Sequence, residues 1–419
     1  MSEEGQKVDS TPLNEPRLHA LLVETDSDLT TVIEALLDYD GPICIDAERA
    51  SGFRYGQKAY LIQIAIPYKA IYLIDPTPQY SEELWITFAK ETNRKPWIIH
   101  AASQDLICLA ELGLLPTQIL DTELASRILG LPKVALGTIT EHYLGLKLAK
   151  EHSAVDWSVR PMPKSWLDYA ALDVDVLFDL WVAVEADLVK RDRMGIAMQE
   201  FEFLLTPSVK EPKVDRWRST TGLHEIKDAR ALTVAKHLWE AREALALNRD
   251  IAPGRLIPDS AIIAAVKAAP RSKSELASLR TFSGKASRTF IDVWWKALSE
   301  GTTTKNLVEL RAKTIGIPNH RNWSQKFPEA HARLLTCKLL LGKLAEELAI
   351  PAENIVSPEV VRSLCFEPPT PLTLENLTAR LLEKRVRAWQ IDRILEVLLV
   401  GLAATTPPEI VEETKAETL

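Results

Sequence analysis

Short apolar segments that alternate with amphipathic ones constrain the fold of residues 17–204 more than any other feature of the chain. Three apolar runs, PICID, AYLIQIAI and AIYLID, follow one another closely between residues 42 and 75, and the last two fit a hairpin that turns at Pro67–Lys69. Further strands are predicted at PWIIH and QILD, with helical periodicity between them and one long helix over residues 163–192. This order predicts an α/β domain in which a mixed sheet is flanked by helices.

Residues after about 220 carry helical patterns almost throughout. Two blocks, 221–303 and 327–402, repeat one order of a long helix, a loop that contains proline and several shorter helices. They predict two related all-α domains. Stretches without periodicity predict linkers over 205–220 and 304–326, and we expect a flexible N-terminus over 1–16 and a disordered acidic tail over 403–419.

The composition is that of an ordinary globular protein, with 46% hydrophobic and 26% charged residues. No apolar run approaches the roughly 20 residues that span a bilayer, and MSEEGQKVDS lacks the apolar core of a signal peptide. The four cysteines show no metal-binding spacing and therefore predict reduced, free thiols. We expect a cytoplasmic protein without a membrane partner. Because nothing in the sequence indicates an obligate dimer, we expect a monomer.

The net charge of −8 conceals an uneven distribution of charge. Residues 205–304 hold 17 Lys/Arg against 11 Asp/Glu, whereas the N-terminus and the tail PPEIVEETKAETL are acidic. A basic middle keeps nucleic acid as a candidate partner despite the acidic total. The candidate phosphate contacts in the first helical block are Arg242, Arg249, Arg255, Lys273, Arg280, Lys285 and Arg288.

Acidic residues at three separate places in the α/β region are the candidates for catalysis. The first place holds Asp46 and Glu48, which lie two residues apart on a predicted strand, so that both side chains face one side of the sheet. Two carboxylates on one face repel each other unless a cation lies between them. A lone D-x-E is nevertheless weak evidence for a metal site, because short motifs occur by accident.

The second place is Asp105, which follows the strand PWIIH, and the third is YAALD, where Tyr169 and Asp173 lie on one helical face. Each alone has an ordinary interpretation, as an acid near a helix start or as a half-buried tyrosine beside a surface acid. Together, four carboxylates and a tyrosine on an α/β scaffold suit two divalent cations about 3.5–4 Å apart. Mg²⁺ or Mn²⁺ is favoured, because the ligands are all oxygen and no His/Cys set competes.

The order of D-x-E, HAASQD and YAALD resembles the three exonuclease motifs of bacterial ribonuclease D, a branch of the 3′→5′ exonucleases that use four acids and a tyrosine. The resemblance covers residues 17–204 and includes LIDP, LDTELASRILG and DWSVRP. Both helical blocks resemble the HRDC domain, named for helicases and ribonuclease D C-termini, most clearly in LWEAREALALNRDIAPGRLIPDSAII. The resemblance implies a ribonuclease H-like exonuclease domain followed by two HRDC-type domains. Ala47 stands where ribonuclease D often has threonine, but this side chain faces away from the metals, so activity should not suffer.

The resemblance also implies a role for each site residue. Asp46, Glu48 and Asp173 would hold the metal that binds the attacking water. Asp46 would bridge to a second metal that Asp105 supports, and Tyr169 would orient the nucleophile and help to deprotonate it. Water would attack the last phosphodiester bond and release a nucleoside 5′-monophosphate.

The loop RASGFRYGQK and its surroundings supply candidate contacts to RNA. Its cations could bind phosphates and its aromatic rings could stack on bases, although an ordinary solvated loop is the alternative. For the histidine near the site, the alternative is a buried ring whose hydrogen bonds the backbone satisfies. The candidates are Arg49, Phe53, Arg54, Tyr55, Lys58, Gln63 and His100.

The sequence therefore predicts a 3′→5′ exoribonuclease that trims the 3′ ends of structured RNA, above all of tRNA precursors. A DNA exonuclease is the first alternative, because recognition of the 2′-hydroxyl cannot be read from the sequence. The second alternative is a nucleic-acid-binding protein with an inactive nuclease fold. The presence of all four acids and the tyrosine disfavours it.

Overall fold

The computed structural model describes residues 10–149, 155–206, 215–310 and 316–408. The strands are β1 (Thr11–Leu13), β2 (Ala20–Val23), β3 (Ile43–Arg49), β4 (Ala59–Ile66), β5 (Ala70–Ile74), β6 (Trp97–Ile99), β7 (Ile119–Asp121) and β8 (Leu146–Leu148). Six of them form one sheet in the order β2-β5-β4-β3-β6-β7. Strand β4 runs antiparallel to both of its neighbours, and the other pairs are parallel. The predicted mixed sheet and its β4–β5 hairpin are confirmed.

Within the residues that the structure describes up to 206, eight α-helices accompany this sheet. They are α1 (Asp26–Leu37), α2 (Glu82–Asn93), α3 (Leu106–Glu111), α4 (Thr122–Ile128), α5 (Leu136–Leu144), α6 (Lys164–Asp175), α7 (Leu177–Lys190) and α8 (Met194–Leu205). The prediction of one helix over 163–192 is wrong, because the helix breaks at Val176. The break allows α6 to lie over β3, β4 and β5 while α7 packs against α4 and α5.

Part of the predicted flexible N-terminus is ordered. Residues Thr11–Leu13 pair in parallel with Leu146–Leu148, and the Thr11 N–H donates a 2.8 Å hydrogen bond to the Gly145 carbonyl oxygen. The pairing partner lies more than 130 residues away in sequence, which explains why the local pattern gave no signal. Residues 1–9 lie outside the described ranges, as do 150–154.

The rest of the described chain is helical. Its helices are α9 (Ala229–Arg249), α10 (Pro253–Leu256), α11 (Asp259–Ala268), α12 (Lys273–Ser278), α13 (Lys285–Thr289), α14 (Ile291–Thr303), α15 (Trp323–Lys326), α16 (Pro328–Leu348), α17 (Ala352–Ile355), α18 (Pro358–Phe366), α19 (Leu374–Glu383) and α20 (Ala388–Leu402). Among the described residues, no helix is both long and apolar enough to cross a membrane. All four cysteines are buried and free, as predicted.

Three hydrophobic cores organise the described residues, one in the α/β domain and one in each helical domain. Both predicted linkers contribute a buried tryptophan to these cores. Trp217, from the predicted 205–220 linker, belongs to the second core, and Trp323, from the predicted 304–326 linker, belongs to the third. Residues 207–214 and 311–315 of these linkers, and 409–419 of the predicted tail, lie outside the described ranges. The domain boundaries stay a prediction, which limited proteolysis with mass spectrometry of the fragments can test.

Candidate active site

An acidic cluster forms where α6 crosses the face of the central sheet. Strand β3 directs Asp46 and Glu48 to this face, while Ala47 between them is buried in the core on the other side. Helix α6 supplies Asp173. Carboxylate oxygens of Asp46, Glu48 and Asp173 lie within 4.8 Å of one another, and within the described ranges no other group of three such ligands converges in this way.

Asp105 joins the acidic cluster through Asp46. It follows β6 and a short 3₁₀ turn, and it is only 5% exposed. Its carboxyl group hydrogen-bonds to that of Asp46. Its Oδ1 also forms an ion pair with Arg49 Nη2 at 3.2 Å. The structure therefore brings together all four acids that the sequence predicted, with three in direct convergence and Asp105 beside them.

The electrostatics of the acidic cluster favour a bound cation. Burial raises the pKa of Asp46, Glu48 and Asp173, and the neighbouring carboxylates raise the pKa of Glu48 and Asp173 further. Burial and then Asp46 likewise raise the pKa of Asp105, against the opposing effect of Arg49. Without a cation the acids must share protons to limit their repulsion. An all-oxygen donor set of this charge fits Mg²⁺ or Mn²⁺.

Tyr169 lies one turn before Asp173 on α6, so that its phenol reaches the acidic cluster. The phenol hydrogen-bonds to the Asp173 carboxylate. Burial, followed by the nearby carboxylates, raises the pKa of Tyr169 above its ordinary value. The phenol therefore stays protonated at neutral pH and acts as a hydrogen-bond donor.

Burial and bonding argue against two of the predicted RNA contacts, which stay predictions. Gln63 is fully buried, because its strand β4 lies inside the sheet and α6 covers the face that Gln63 shares with Asp46, its cross-strand partner. His100 is half-buried, and its Nδ1 lies 2.9 Å from the Thr122 hydroxyl. Burial lowers the pKa of His100 to about 4, so the ring is neutral and offers phosphate no charge.

Phe53 and Tyr55, in the loop after β3, contact the first helical domain. The Ala252 N–H donates to the Phe53 carbonyl oxygen at 3.0 Å, and the Arg255 guanidinium lies 3.9 Å from the centre of the Phe53 ring. The Tyr55 N–H donates to Asp250 Oδ1 at 3.2 Å, and the Tyr55 ring packs against the second core. Phe53 and Tyr55 thus make domain contacts, which argues against their predicted role in stacking on bases.

The cations of the same loop differ in their surroundings. Arg54 Nε donates to the Ser158 hydroxyl at 2.7 Å, and Arg49 pairs with Asp105 next to the acidic cluster. Lys58 is exposed. The predicted RNA contacts of these three residues stay predictions, with Arg49 placed nearest to the acids.

One predicted phosphate contact of the first helical domain is wrong. Arg242 is only 5% exposed, and its Nη1 pairs with Asp259 Oδ1 at 2.8 Å. Arg242 lies on the buried face of the long helix α9, and the composition of this region does not distinguish a buried arginine from a surface arginine.

An ion pair that sequence reasoning missed links two of the quoted stretches, LIDP and DWSVRP. Arg160 forms hydrogen bonds with both carboxylate oxygens of Asp75, one of them at 2.8 Å, and with the Tyr60 carbonyl oxygen at 2.7 Å. Asp75 is 1% exposed. The opposite charges of the two stretches were the available signal, but nothing in the sequence paired them. The contact fixes the segment before α6 against the β4–β5 hairpin.

Comparison with known proteins places this geometry among nucleases. Models described as a 3′-5′ exonuclease, an HRDC domain and a 3′ to 5′ exonuclease C-terminal domain match residues 21–188, 231–298 and 316–402. The last of these covers the block that the sequence predicted to be a second HRDC-type domain.

Relatives and solved structures cover most of the chain. Ribonuclease D of Nitrobacter hamburgensis is 30% identical over 264 residues, which span 62% of this chain and 68% of the relative. A crystal structure of a protein from Bifidobacterium adolescentis is 29% identical, with a TM-score of 0.82 over 94% of this chain and 99% of the other. Escherichia coli RNase D, described as an exoribonuclease involved in structured RNA processing, shares the fold, with 22% identity and a TM-score of 0.65 over 92% of this chain and 99% of the other.

Proposed function

The chain belongs to the ribonuclease D family and is a 3′→5′ exoribonuclease, and we propose that its acidic cluster, together with Asp105, holds two divalent cations, Mg²⁺ or Mn²⁺. The convergence of three half-buried carboxylates within 4.8 Å is the observation that carries this proposal. Bound cations would supply a water nucleophile of lowered pKa and would offset the charge that develops on the scissile phosphate.

Residues of the chain itself contribute orientation and charge. Tyr169 hydrogen-bonds to Asp173 beside the acidic cluster, and it would orient the attacking water and help to deprotonate it. Arg49, which pairs with Asp105 at the edge of the acidic cluster, would contact the phosphate of the terminal nucleotide.

The substrate that we propose is structured RNA, and tRNA precursors above all, from which the enzyme would release nucleoside 5′-monophosphates one at a time. Family membership supports RNA, and the net positive charge of residues 205–304 supports a polyanionic partner. We place this activity in the cytoplasm and assign it to a monomer.

The test compares 5′-labelled RNA and DNA oligonucleotides of matched sequence, with and without Mg²⁺ or Mn²⁺. We expect stepwise shortening of RNA that requires the metal, and loss of this activity in Asp46→Asn and Asp173→Asn. Lys90→Glu, an exposed position on α2, is the matched control. Equal shortening of DNA would favour the DNA exonuclease, internal cuts would overturn the exonuclease mechanism, and full activity of both Asn variants would overturn the site.

A further inference from the structure

A cavity of about 1200 Å³ lies between the third domain and α8 of the α/β domain. Its walls come from Phe203 of α8, from Gln390, and from three separate segments of the third domain, 316–321, 357–363 and 384–387. It shares no residue with the acidic cluster. We name it the basic cavity, after the charge of its lining.

The lining of the basic cavity is strongly cationic. One acid, Glu359, accompanies the cations that line it, although the chain as a whole has a net charge of −8. A local field of this sign attracts anions independently of the total charge. The arginines and lysines of the lining are Arg321, Arg362, Lys384, Arg385 and Arg387.

Two of these cations serve the contact between domains. Arg387 Nε and Nη2 each lie 2.7 Å from a Glu200 carboxylate oxygen, and the guanidinium lies over the Phe203 ring at 4.3 Å. Arg385 Nη2 donates to the Thr206 carbonyl oxygen at 3.1 Å and also lies over Phe203. They form one wall of the basic cavity and are already engaged.

The other three cations are available to a ligand. In the described part of the chain, no ion pair or side-chain hydrogen bond holds Arg321, Arg362 or Lys384. Burial, and then the charges of Arg362, Lys338 and Arg321, lower the pKa of His320 in the same wall. The repulsion among these groups is a free-energy cost that a bound anion would relieve.

We propose that the basic cavity binds the phosphate backbone of the RNA substrate, upstream of the 3′ end that is being trimmed. Arginine presents a planar fork of donors that matches phosphate oxygens, and two of the three available cations are arginines. The cavity exceeds the roughly 300–1,000 Å³ of typical small-molecule sites, which favours a polyanion over a single nucleotide. The proposal rests on the proposed function in taking RNA as that polyanion.

The test measures binding of a 5′-fluorescent RNA hairpin with a single-stranded 3′ overhang, over a range of salt concentrations and in EDTA. Arg321→Glu/Arg362→Glu removes two of the available cations. Lys90→Glu/Lys147→Glu carries the same change of charge at exposed positions on α2 and β8 and is the control. Arg321→Lys/Arg362→Lys keeps the charges, and thermal melting of each variant verifies that it is folded.

We expect Arg321→Glu/Arg362→Glu to lower the affinity at least tenfold at 0.1 M salt and to reduce the salt slope by about 1.4–1.8, since each phosphate contact contributes about 0.7 on a single strand and about 0.9 on a duplex. The control and the Lys variant should keep the slope of the unchanged protein. Equal affinity and slope in the Glu variant and the control would overturn the proposal. The proposal would also be overturned if pyrophosphate and a nucleotide compete with each other for the basic cavity and RNA binding stays unchanged. The cavity would then hold a small anion.

Failure of the proposed function gives a different result. In that case the unchanged protein does not shorten RNA when Mg²⁺ is present, whereas the salt-dependent binding of the hairpin in EDTA still depends on Arg321 and Arg362. Conversely, the protein could shorten a short RNA normally while Arg321 and Arg362 have no effect on hairpin binding. That result overturns only the proposal that the basic cavity binds RNA.

Discussion

Asp46→Asn distinguishes a half-buried acid that requires a cation from an acid that already has a cationic partner. The substitution preserves the size of the side chain and removes one charge from a cluster whose oxygens lie within 4.8 Å of one another. We therefore predict that it raises the thermal stability of the protein when divalent cations are absent. This is the reverse of the usual effect of a substitution at a buried position.

The magnitude follows from the spacing of the charges. Two unit charges about 4.8 Å apart repel by roughly 3.5 kcal/mol at an effective dielectric constant of about 20, and by roughly 0.9 kcal/mol in water. The cluster limits this cost by binding protons, because burial and then neighbouring carboxylates raise the pKa of Glu48 and Asp173. We expect a net gain of about 1–3 kcal/mol for the Asn variant.

The gain should depend on pH with a definite sign. The pKa of Asp46 is about 6 in the folded protein, above the ordinary value of 3.8, so the folded state loses stability as the pH rises between these values. The Asn variant has no such loss. The difference in stability should therefore be largest above pH 6 and should shrink towards pH 4.

The assay is thermal melting in EDTA and in Mg²⁺ or Mn²⁺, with Asp75→Asn as the matched control. Asp75 is 1% exposed and already pairs with Arg160, so this variant should lose about 3–5 kcal/mol in every buffer. A metal at 100 times its Kd should stabilise the unchanged protein by about 2.7 kcal/mol and Asp46→Asn by much less. If Asp46→Asn destabilises the protein in EDTA as Asp75→Asn does, and the metal stabilises both variants equally, Asp46 is not held in a repulsive cluster that a cation relieves.

Three further predictions concern domain contacts and a buried ring. Glu200→Gln should loosen the contact of the third domain with α8, because it weakens both 2.7 Å hydrogen bonds from Arg387. Hydrogen exchange of the backbone amides over 384–390 should then accelerate about tenfold or more, and unchanged exchange would contradict this prediction. Arg255→Ala should cost about 1–2 kcal/mol of loop stability, because it removes a 2.6 Å hydrogen bond to the Gly52 carbonyl oxygen and the contact with the Phe53 ring. Faster proteolysis within 50–57, partly restored in Arg255→Lys, is the measurement, and equal rates in all variants would rule the contact out as a support. His100 should titrate near pH 4 by NMR, so that its contribution to stability is lost as the pH falls from 6.5 towards 4, and a midpoint near 6.5 would show an exposed ring.

Local patterns were sufficient to predict the sheet and its acids. The apolar runs at 43–45, 59–66 and 70–74 form strands, and the D-x-E spacing on β3 puts both carboxylates on one face, because the two-residue period of a strand is a local property. Gln63 shows that the period of a strand does not reveal which face of the sheet is exposed. Its alternation with apolar residues suggested an open face, but α6 covers that face, and a helix from 100 residues later leaves no mark on the strand that it covers.

Contacts between distant segments could not be predicted. The Tyr55 N–H donates a hydrogen bond to Asp250, which lies 195 residues later in the sequence. Because the sequence gives no sign of this contact, the loop RASGFRYGQK had the pattern of a surface that is open to nucleic acid. The basic cavity has the same origin. Its lining comes from three segments, of which 316–321 and 357–363 carry one arginine each and 384–387 carries three cations, and only the packing of α18 and of the α19–α20 connection beside residues 316–321 brings these charges together.

The distribution of charge explains how an acidic chain could act on an acidic substrate. The converging carboxylates of the active site are half-buried and would be compensated by cations, whereas the ion pair of Asp75 with Arg160 neutralises itself. Exposed acids elsewhere act on RNA only within about one Debye length, close to 8 Å at physiological ionic strength. Uncompensated positive charge at Arg321, Arg362 and Lys384 is therefore felt by a strand that lies in the basic cavity, whatever the net charge of the chain. By this reasoning, removing cations from the basic cavity should lower RNA affinity at physiological salt although the net charge of the whole chain is already negative.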